Sequence, residues 1–248
     1  MIAKELLLEA GKAKGLTNKE HIEKDYFQDV FLFNLYRKTN KFIFKGGTAI
    51  YKLYGLQRFS EDLDFSLSED VDLKYVENTI KDVVGGISFF ELKDVKKTKD
   101  SLLVKIGCKG ILTRYNSLRI DVNFKNKVIY GYDVKNYVPM YIDLNPFSLR
   151  MLKLEEIIAE KIHAIFMREK ARDLFDLFFL LRLAKFDKKL VGEKLRLFSM
   201  KYDQDRLVAG INKIKNIWER ELRPFVLAEL PDFTTVRDFV INRIKSGL

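Results

Sequence analysis

The chain has 248 residues, 47% of them hydrophobic, which is enough to bury a sizeable core; its formal charge of +10 exceeds what solubility needs and points to an anionic partner, nucleic acid first. A single cysteine, Cys108, excludes an intramolecular disulfide and fits a reducing cytoplasm, and two isolated histidines, His21 and His163, are too few for a zinc site. No run of roughly 18 apolar residues exists to span a bilayer and the N-terminus lacks a signal-peptide pattern, so a cytoplasmic protein with no membrane partner is expected.

Residues 1–16 read as a short helical lead-in. Thr17-Asn18-Lys19-Glu20 has capping-box spacing, and Ile22, Tyr26, Phe27, Val30, Phe31, Phe33 and Leu35 then predict a long helix. Phe42 to Phe44 suits a buried strand, Gly46-Gly47 permits a tight turn, and Thr48 to Tyr54 has helical spacing up to a turn at Gly55. From Glu61 to Leu67 charged or polar residues alternate with Leu63, Phe65 and Leu67, the period of a half-buried strand. A helix over Val71 to Val84 ends at Gly85-Gly86. Strands are then expected at Phe89 to Val95, Leu102 to Cys108, Leu118 to Lys125 and Val134 to Ile142. Beyond Leu152 the pattern is helical throughout: a face over Leu154 to Phe166, an apolar helix over Leu174 to Leu183, and helices at 188–199, 203–222 and 234–246, with Pro224 and Pro231 between the last two. The class is therefore α+β, with a sheet-and-helix lobe over 1–148 followed by a helical-bundle lobe over 149–248.

The chemistry concentrates at the helix after Gly46-Gly47 and the strand that follows it. A helix that starts directly after two glycines offers unpaired backbone N–H groups and the positive end of its dipole, which favour a phosphate at Gly46, Gly47 and Thr48. Asp62 and Asp64 project from one strand face, and close carboxylates resist joint ionisation unless a cation sits between them. Hard oxygen ligands suit Mg²⁺ or Mn²⁺. A phosphate cradle beside an Asp pair is what in-line nucleotidyl transfer with two metals requires, and Asp121, in Arg119-Ile120-Asp121-Val122, is the candidate third ligand.

The run G-G-x14-D-x-D with a later I-D-V strand resembles the polymerase-β-type nucleotidyltransferase superfamily. K-G-G-T-A followed by R-F-S-E-D-L-D-F is similar to its AbiEii/MenT toxin branch, as are the downstream elements Glu156-x-x-x-Glu160-Lys161 and Arg172-Asp173-Leu174-Phe175-Asp176-Leu177. The motifs span 45–177. Gly47 stands where many superfamily members have Ser, and the 14-residue gap before Asp62 is slightly long. The resemblance implies a polymerase-β-like fold and a nucleoside triphosphate substrate. It further implies an RNA acceptor, the 3′ end of tRNA, and a cognate antitoxin. It places Ser60 in the active site and Arg58 at a phosphate, against the alternatives of a strand start and a solvated loop charge.

Lys161 lies on the apolar face of its helix, where an unpaired ammonium is costly. It either reaches the triphosphate or forms a buried ion pair with Asp173 or Asp176. Those two are three apart, hence on one helical face, and the sequence does not choose which enters the active site. Two rival functions remain at this stage: transfer to a small-molecule acceptor, which the charge of +10 disfavours, and a silent nucleotide- or RNA-binding module, which the intact acidic set disfavours.

Overall fold

A computed structural model describes residues 2–68 and 71–247; Met1, the first residue of the expected lead-in, lies outside them. The chain forms two compact units. The first takes residues up to Gly55, then Phe59–Lys125 and Tyr132–Met151; the second takes Leu56–Arg58, Asn126–Gly131 and the chain from Leu152 onward.

The first unit opens with α1 (Lys4–Ala13) and α2 (Lys19–Lys38), followed by β1 (Phe42–Lys45), α3 (Gly46–Tyr54), β2 (Leu63–Leu67) and α4 (Leu73–Gly85). Five further strands complete it: β3 (Phe90–Lys97), β4 (Ser101–Lys109), β5 (Tyr115–Asn123), β6 (Tyr132–Tyr137) and β7 (Phe147–Leu152). They make one seven-stranded mixed sheet of order β3-β4-β5-β2-β1-β7-β6. β1 runs antiparallel to β2 and parallel to β7, while β2 runs parallel to β5. Phe42, Phe44, Leu63, Phe65, Leu118, Ile120 and Val122 are buried, so the middle of the sheet is the core of this unit.

Several boundaries differ from the sequence reading. Asn18, and not Thr17, caps α2: its side-chain oxygen accepts from Glu20 N at 2.8 Å. α3 begins at Gly46, so both glycines sit in its first turn. β6 stops at Tyr137 because Pro139, two residues on, has no N–H to give a ladder; Val138, Met140 and Ile142 are exposed. β7 was not anticipated. Its six residues follow Pro146 and lead directly into a helix, and one parallel pairing, Phe44 with Met151, ties it to β1.

A buried charge cluster fixes α3 to α2. Lys52 Nζ lies 2.9 Å from Asp25 Oδ1 and 2.6 Å from Asp29 Oδ1, and Lys14 Nζ lies 2.5 Å from Asp25 Oδ2. Tyr141 OH donates to Asp25 at 2.6 Å and Tyr137 OH to Asp29 at 2.9 Å. Burial raises the cost of ionising Asp25, but the charges of Lys14 and Lys52 outweigh it and hold the carboxyl well below its ordinary value. With two ammonium groups facing two carboxylates, desolvation is compensated, and the helix that starts at Gly46 is held from its far end.

The second unit is helical: α5 (Leu154–Met167), α6 (Ala171–Leu180), α7 (Lys188–Arg196), α8 (Gln204–Lys213), a 3₁₀ turn at Ile214–Ile217, α9 (Trp218–Leu222) and α10 (Phe233–Ser246). The single helix expected over 203–222 is thus three pieces. α5 and α6 are apolar on their packed faces, with Ile157, Ile158, Ile162, Leu174, Leu177 and Leu180 buried. The α+β class expected from the sequence, a mixed sheet with packed helices and then a helical unit, is what forms.

Candidate active site

Two neighbouring strands carry acidic residues of the site, and the strand beside them carries a lysine. Register sets Lys45 of β1 opposite Asp64 of β2, and Asp64 opposite Asp121 of β5. Residues paired across strands share a face, so the three side chains form one row. Asp62 lies just before β2, with its side chain 41% exposed and Oδ2 3.8 Å from Arg119 Nη1.

The segment carrying Asp62 is held by side chains from two helices. Gln28 Nε2 of α2 donates to the carbonyls of Ser60 and Glu61, both at 2.9 Å, and Thr48 Oγ1 of α3 donates to the carbonyl of Asp62. The hydroxyl of Thr48 is thereby used within the protein; what it offers a phosphate is its backbone N–H. Ser60 is buried beside this clamp.

Gly46 has φ +75°, the left-handed region that glycine adopts without penalty, and a Cβ built on it would collide with Oδ2 of Asp64. Backbone and carboxylate therefore meet at the start of α3, as a site joining a phosphate cradle to an acidic pair needs. Gly46→Ala is expected to cost about 1–2 kcal/mol of stability from the backbone alone and to displace Asp64. Activity should fall by more than the melting temperature shift explains; a variant with wild-type turnover would remove the contact from the site.

Asp121 is the most constrained of the acids. Burial raises its carboxyl above the ordinary value, opposed by the charge of Lys45 and reinforced by that of Asp62. Its Oδ1 is buried and has no hydrogen-bond partner among the described residues. A hard cation suits that oxygen and its neighbour Asp64. Among the described residues no three His, Cys, Asp or Glu side chains are arranged to hold an ion by themselves. Mg²⁺ is commonly held by one or two carboxylates, with substrate phosphates completing its shell, so a two-carboxylate pair fits it.

Lys45 was missed by sequence reasoning. A charged residue closing the apolar run Phe42-Ile43-Phe44, 5% exposed and in register with two aspartates, is a counter-charge to them. The signal was available, since a lysine at the buried end of a strand needs a partner.

The remaining predicted residues gather in the second unit. Arg58 is 2% exposed, not a solvated loop charge. Its Nε and Nη2 donate to the two oxygens of Asp176, both at 2.7 Å, a bidentate fork. Lys161 Nζ lies 2.6 Å from Asp176 Oδ2 and 3.0 Å from Asp173 Oδ1, so it pairs with both aspartates. Asp173 is also met by Arg168 Nε at 2.9 Å. Burial pushes the Asp173 carboxyl up, but Lys161 and Arg168 outweigh it and bring it from 3.8 to about 2. A depressed folded value means stability present above the unfolded value and lost as pH falls through the folded one. Asp173 should therefore contribute about 2 kcal/mol that disappears between about pH 4 and pH 2. Urea midpoints across that window should fall more steeply for the wild type than for Asp173→Asn; parallel curves would refute it.

The profile described as nucleotidyl transferase AbiEii toxin, type IV toxin–antitoxin system, matches residues 30–240. No curated protein matches the sequence. Among solved structures, MenT4, a nucleotidyltransferase toxin from Mycobacterium tuberculosis, is similar with a TM-score of 0.68 at 17% identity, over 98% of this chain and 89% of its own. JHP933 from Helicobacter pylori follows with a TM-score of 0.58 at 22% identity, over 99% and 93%. At these identities the structures speak to the fold. The profile match is one block that takes in the glycine turn, the acidic strands and most of the helical unit, and on it this chain belongs to the AbiEii family of nucleotidyl transferase toxins of type IV toxin–antitoxin systems and is a nucleotidyltransferase.

Proposed function

We propose that the chain moves a nucleoside monophosphate from a nucleoside triphosphate to the 3′ end of an RNA, with tRNA as the acceptor and Mg²⁺ or Mn²⁺ as the cofactor. It acts as a cytoplasmic toxin restrained by a cognate antitoxin. The observation that carries this is the in-register pair Asp64 and Asp121: Oδ1 of Asp121 is buried with no hydrogen-bond partner among the described residues, and Asp64 lies directly against the glycine start of α3. No helix among the described residues is long and apolar enough to cross a membrane.

In the proposed reaction the 3′-hydroxyl oxygen of the acceptor bonds to the α-phosphorus, the bond from that phosphorus to the bridging oxygen breaks, and pyrophosphate leaves. Asp64 and Asp121 would hold the divalent ion, with Asp62 and the substrate phosphates completing its shell once both are bound; the ion supplies activation of the attacking oxygen and neutralisation of the leaving group. The N–H groups at Gly46, Gly47 and Thr48 face the phosphates, favoured by the dipole of α3. Asp121 offers Oδ1 to the ion, which leaves its second oxygen, Oδ2, to take the hydroxyl proton. Lys45 limits repulsion among the carboxylates. From the second unit we assign Lys161 to the triphosphate, oriented by Asp173, Asp176 and Arg58.

The test is incubation with each labelled nucleoside triphosphate, total tRNA, and either Mg²⁺ or EDTA, resolved on a denaturing gel. Label in the tRNA band that needs the metal is the expected result. Label confined to a small molecule, or none with any triphosphate, would overturn the reading.

A further inference from the structure

The second unit holds a cavity of about 700 Å³ whose lining includes Lys153, Lys185, Lys188, Lys189 and Lys245. We infer that this cavity binds the sugar–phosphate backbone of the acceptor RNA, an inference that rests on the RNA-acceptor reading above.

The lysines are the first reason. Buried lysines of this chain, such as Lys52, Lys161 and Lys194, sit against carboxylates. The five around the cavity make no ion pair among the described residues. Only two carboxylates share the lining, Glu155 and Asp187. Asp187 accepts from Leu190 N at 2.9 Å and from Tyr130 OH at 2.6 Å and keeps its charge, so five ammonium groups face two carboxylates. The cavity therefore carries an excess of unneutralised positive charge.

Helix placement is the second reason. Lys153 caps the N-terminus of α5, Asp187 caps that of α7, and Gln204 is the first residue of α8; all three line the cavity. The first residues of three helices thus stand around one space; α7 and α8 are capped there by the carboxylates of Asp187 and Asp203, and the start of α5, at Lys153, has no side-chain cap. The last turn of α10 brings carbonyls of opposite polarity, and Lys245 stands there to offset them.

The lining also decides the class of ligand. Small-molecule pockets are mostly apolar, whereas here five lysines, Glu155, Asp187, Gln204 and Ser246 stand beside the buried apolar side chains Phe186 and Ile244, so the lining is as polar as it is apolar. Tyr130, 40% exposed at the rim, offers a ring on which one base can stack. Spread lysines with one aromatic platform suit a phosphodiester chain better than a single nucleotide.

The test compares the full-length wild type with a double variant, Lys185→Glu with Lys189→Glu, two exposed positions outside the acidic site. Binding of 5′-labelled tRNA is measured by anisotropy across salt, alongside melting temperature and affinity for a nucleoside triphosphate with Mg²⁺. Each phosphate contact contributes a log–log slope of about 0.7 to 0.9, so the variant should bind about tenfold or more weakly at low salt and lose about 1.4 to 1.8 of slope. Melting temperature and triphosphate affinity should not change. A Lys185→Gln, Lys189→Gln variant should show the same slope loss with a smaller drop in affinity, which guards against a folding defect of the Glu pair. Unchanged tRNA affinity and slope, in a protein that still labels tRNA, would overturn the cavity and leave the transfer reading standing. A wild type that binds no tRNA at any salt would overturn both. Displacement of the tRNA by millimolar inorganic phosphate from these lysines alone would overturn the backbone assignment in favour of a small-anion pocket.

Discussion

Asp64→Asn and Asp121→Asn are each expected to lower nucleotidyl transfer about a thousandfold or more while leaving the melting temperature of the metal-free protein at or above that of the wild type. The catalytic half follows from the loss of an anionic ligand: about 4 kcal/mol of transition-state stabilisation corresponds to three orders of magnitude. The stability half follows from the environment. Asp121 is disfavoured as a carboxylate by burial, and Oδ1 has no donor among the described residues, so ionised Asp121 costs folding energy that an amide does not. Asp64 is packed against Gly46 and lies opposite Lys45, so its amide variant should be closer to neutral in stability than that of Asp121. A residue kept for packing would behave in the opposite way, losing stability with little loss of rate. Single-turnover rates in saturating Mg²⁺ and melting curves in EDTA, on the same preparations, separate the two. Turnover within tenfold of wild type for either variant would remove that aspartate from the metal site.

The sequence was informative about this site because its chemistry is local in the chain. Gly46, Asp62 and Asp64 fall within one strand–helix–strand passage, where period and turn residues are legible, and Asp121 sits in an alternating strand whose partner could be guessed. What brings Asp121 beside Asp64 is the parallel pairing of β5 with β2, a long-range choice with no local mark. Lys45 did carry a mark, closing a buried apolar run, but which charge it answers is set by the pairing of β1 with β2. The clamp from Gln28 to the carbonyls of Ser60 and Glu61 lies 32 residues away in the chain and belongs to a helix that reads as generic packing. β7 carries a short alternation, Phe147, Leu149 and Met151 against Ser148 and Arg150, but the helical pattern that begins at Leu154 follows it at once and masked it. Arg58 shows a different limit. A charged residue flanking an acidic strand reads as surface or substrate contact, and only its fork to Asp176, 118 positions on, shows that its charge is satisfied inside the protein.

Asp176→Ala should be among the most destabilising single substitutions in the second unit, costing about 3–5 kcal/mol. The carboxylate is fully buried and is the shared partner of two cations, Arg58 at 2.7 Å through both oxygens and Lys161 at 2.6 Å. Truncation leaves Arg58 at 2% exposure with no carboxylate in its fork, and a guanidinium cannot shed its charge to escape. Lys161→Ala is expected to cost far less stability. Asp176 would keep the Arg58 fork and Asp173 would keep Arg168, so no carboxylate is stranded. The asymmetry also decides what Lys161 is for. Burial lowers the proton affinity of its ammonium, but Asp176 and Asp173 raise it by more, so the group remains a cation. If that cation meets the triphosphate, Lys161→Ala should lose about a hundredfold in activity, about 2.7 kcal/mol, with weakened triphosphate affinity and a modest shift in melting temperature. A fall in stability as large as that of Asp176→Ala, with triphosphate affinity unchanged, would make Lys161 a purely internal ion-pair partner and remove it from the reaction.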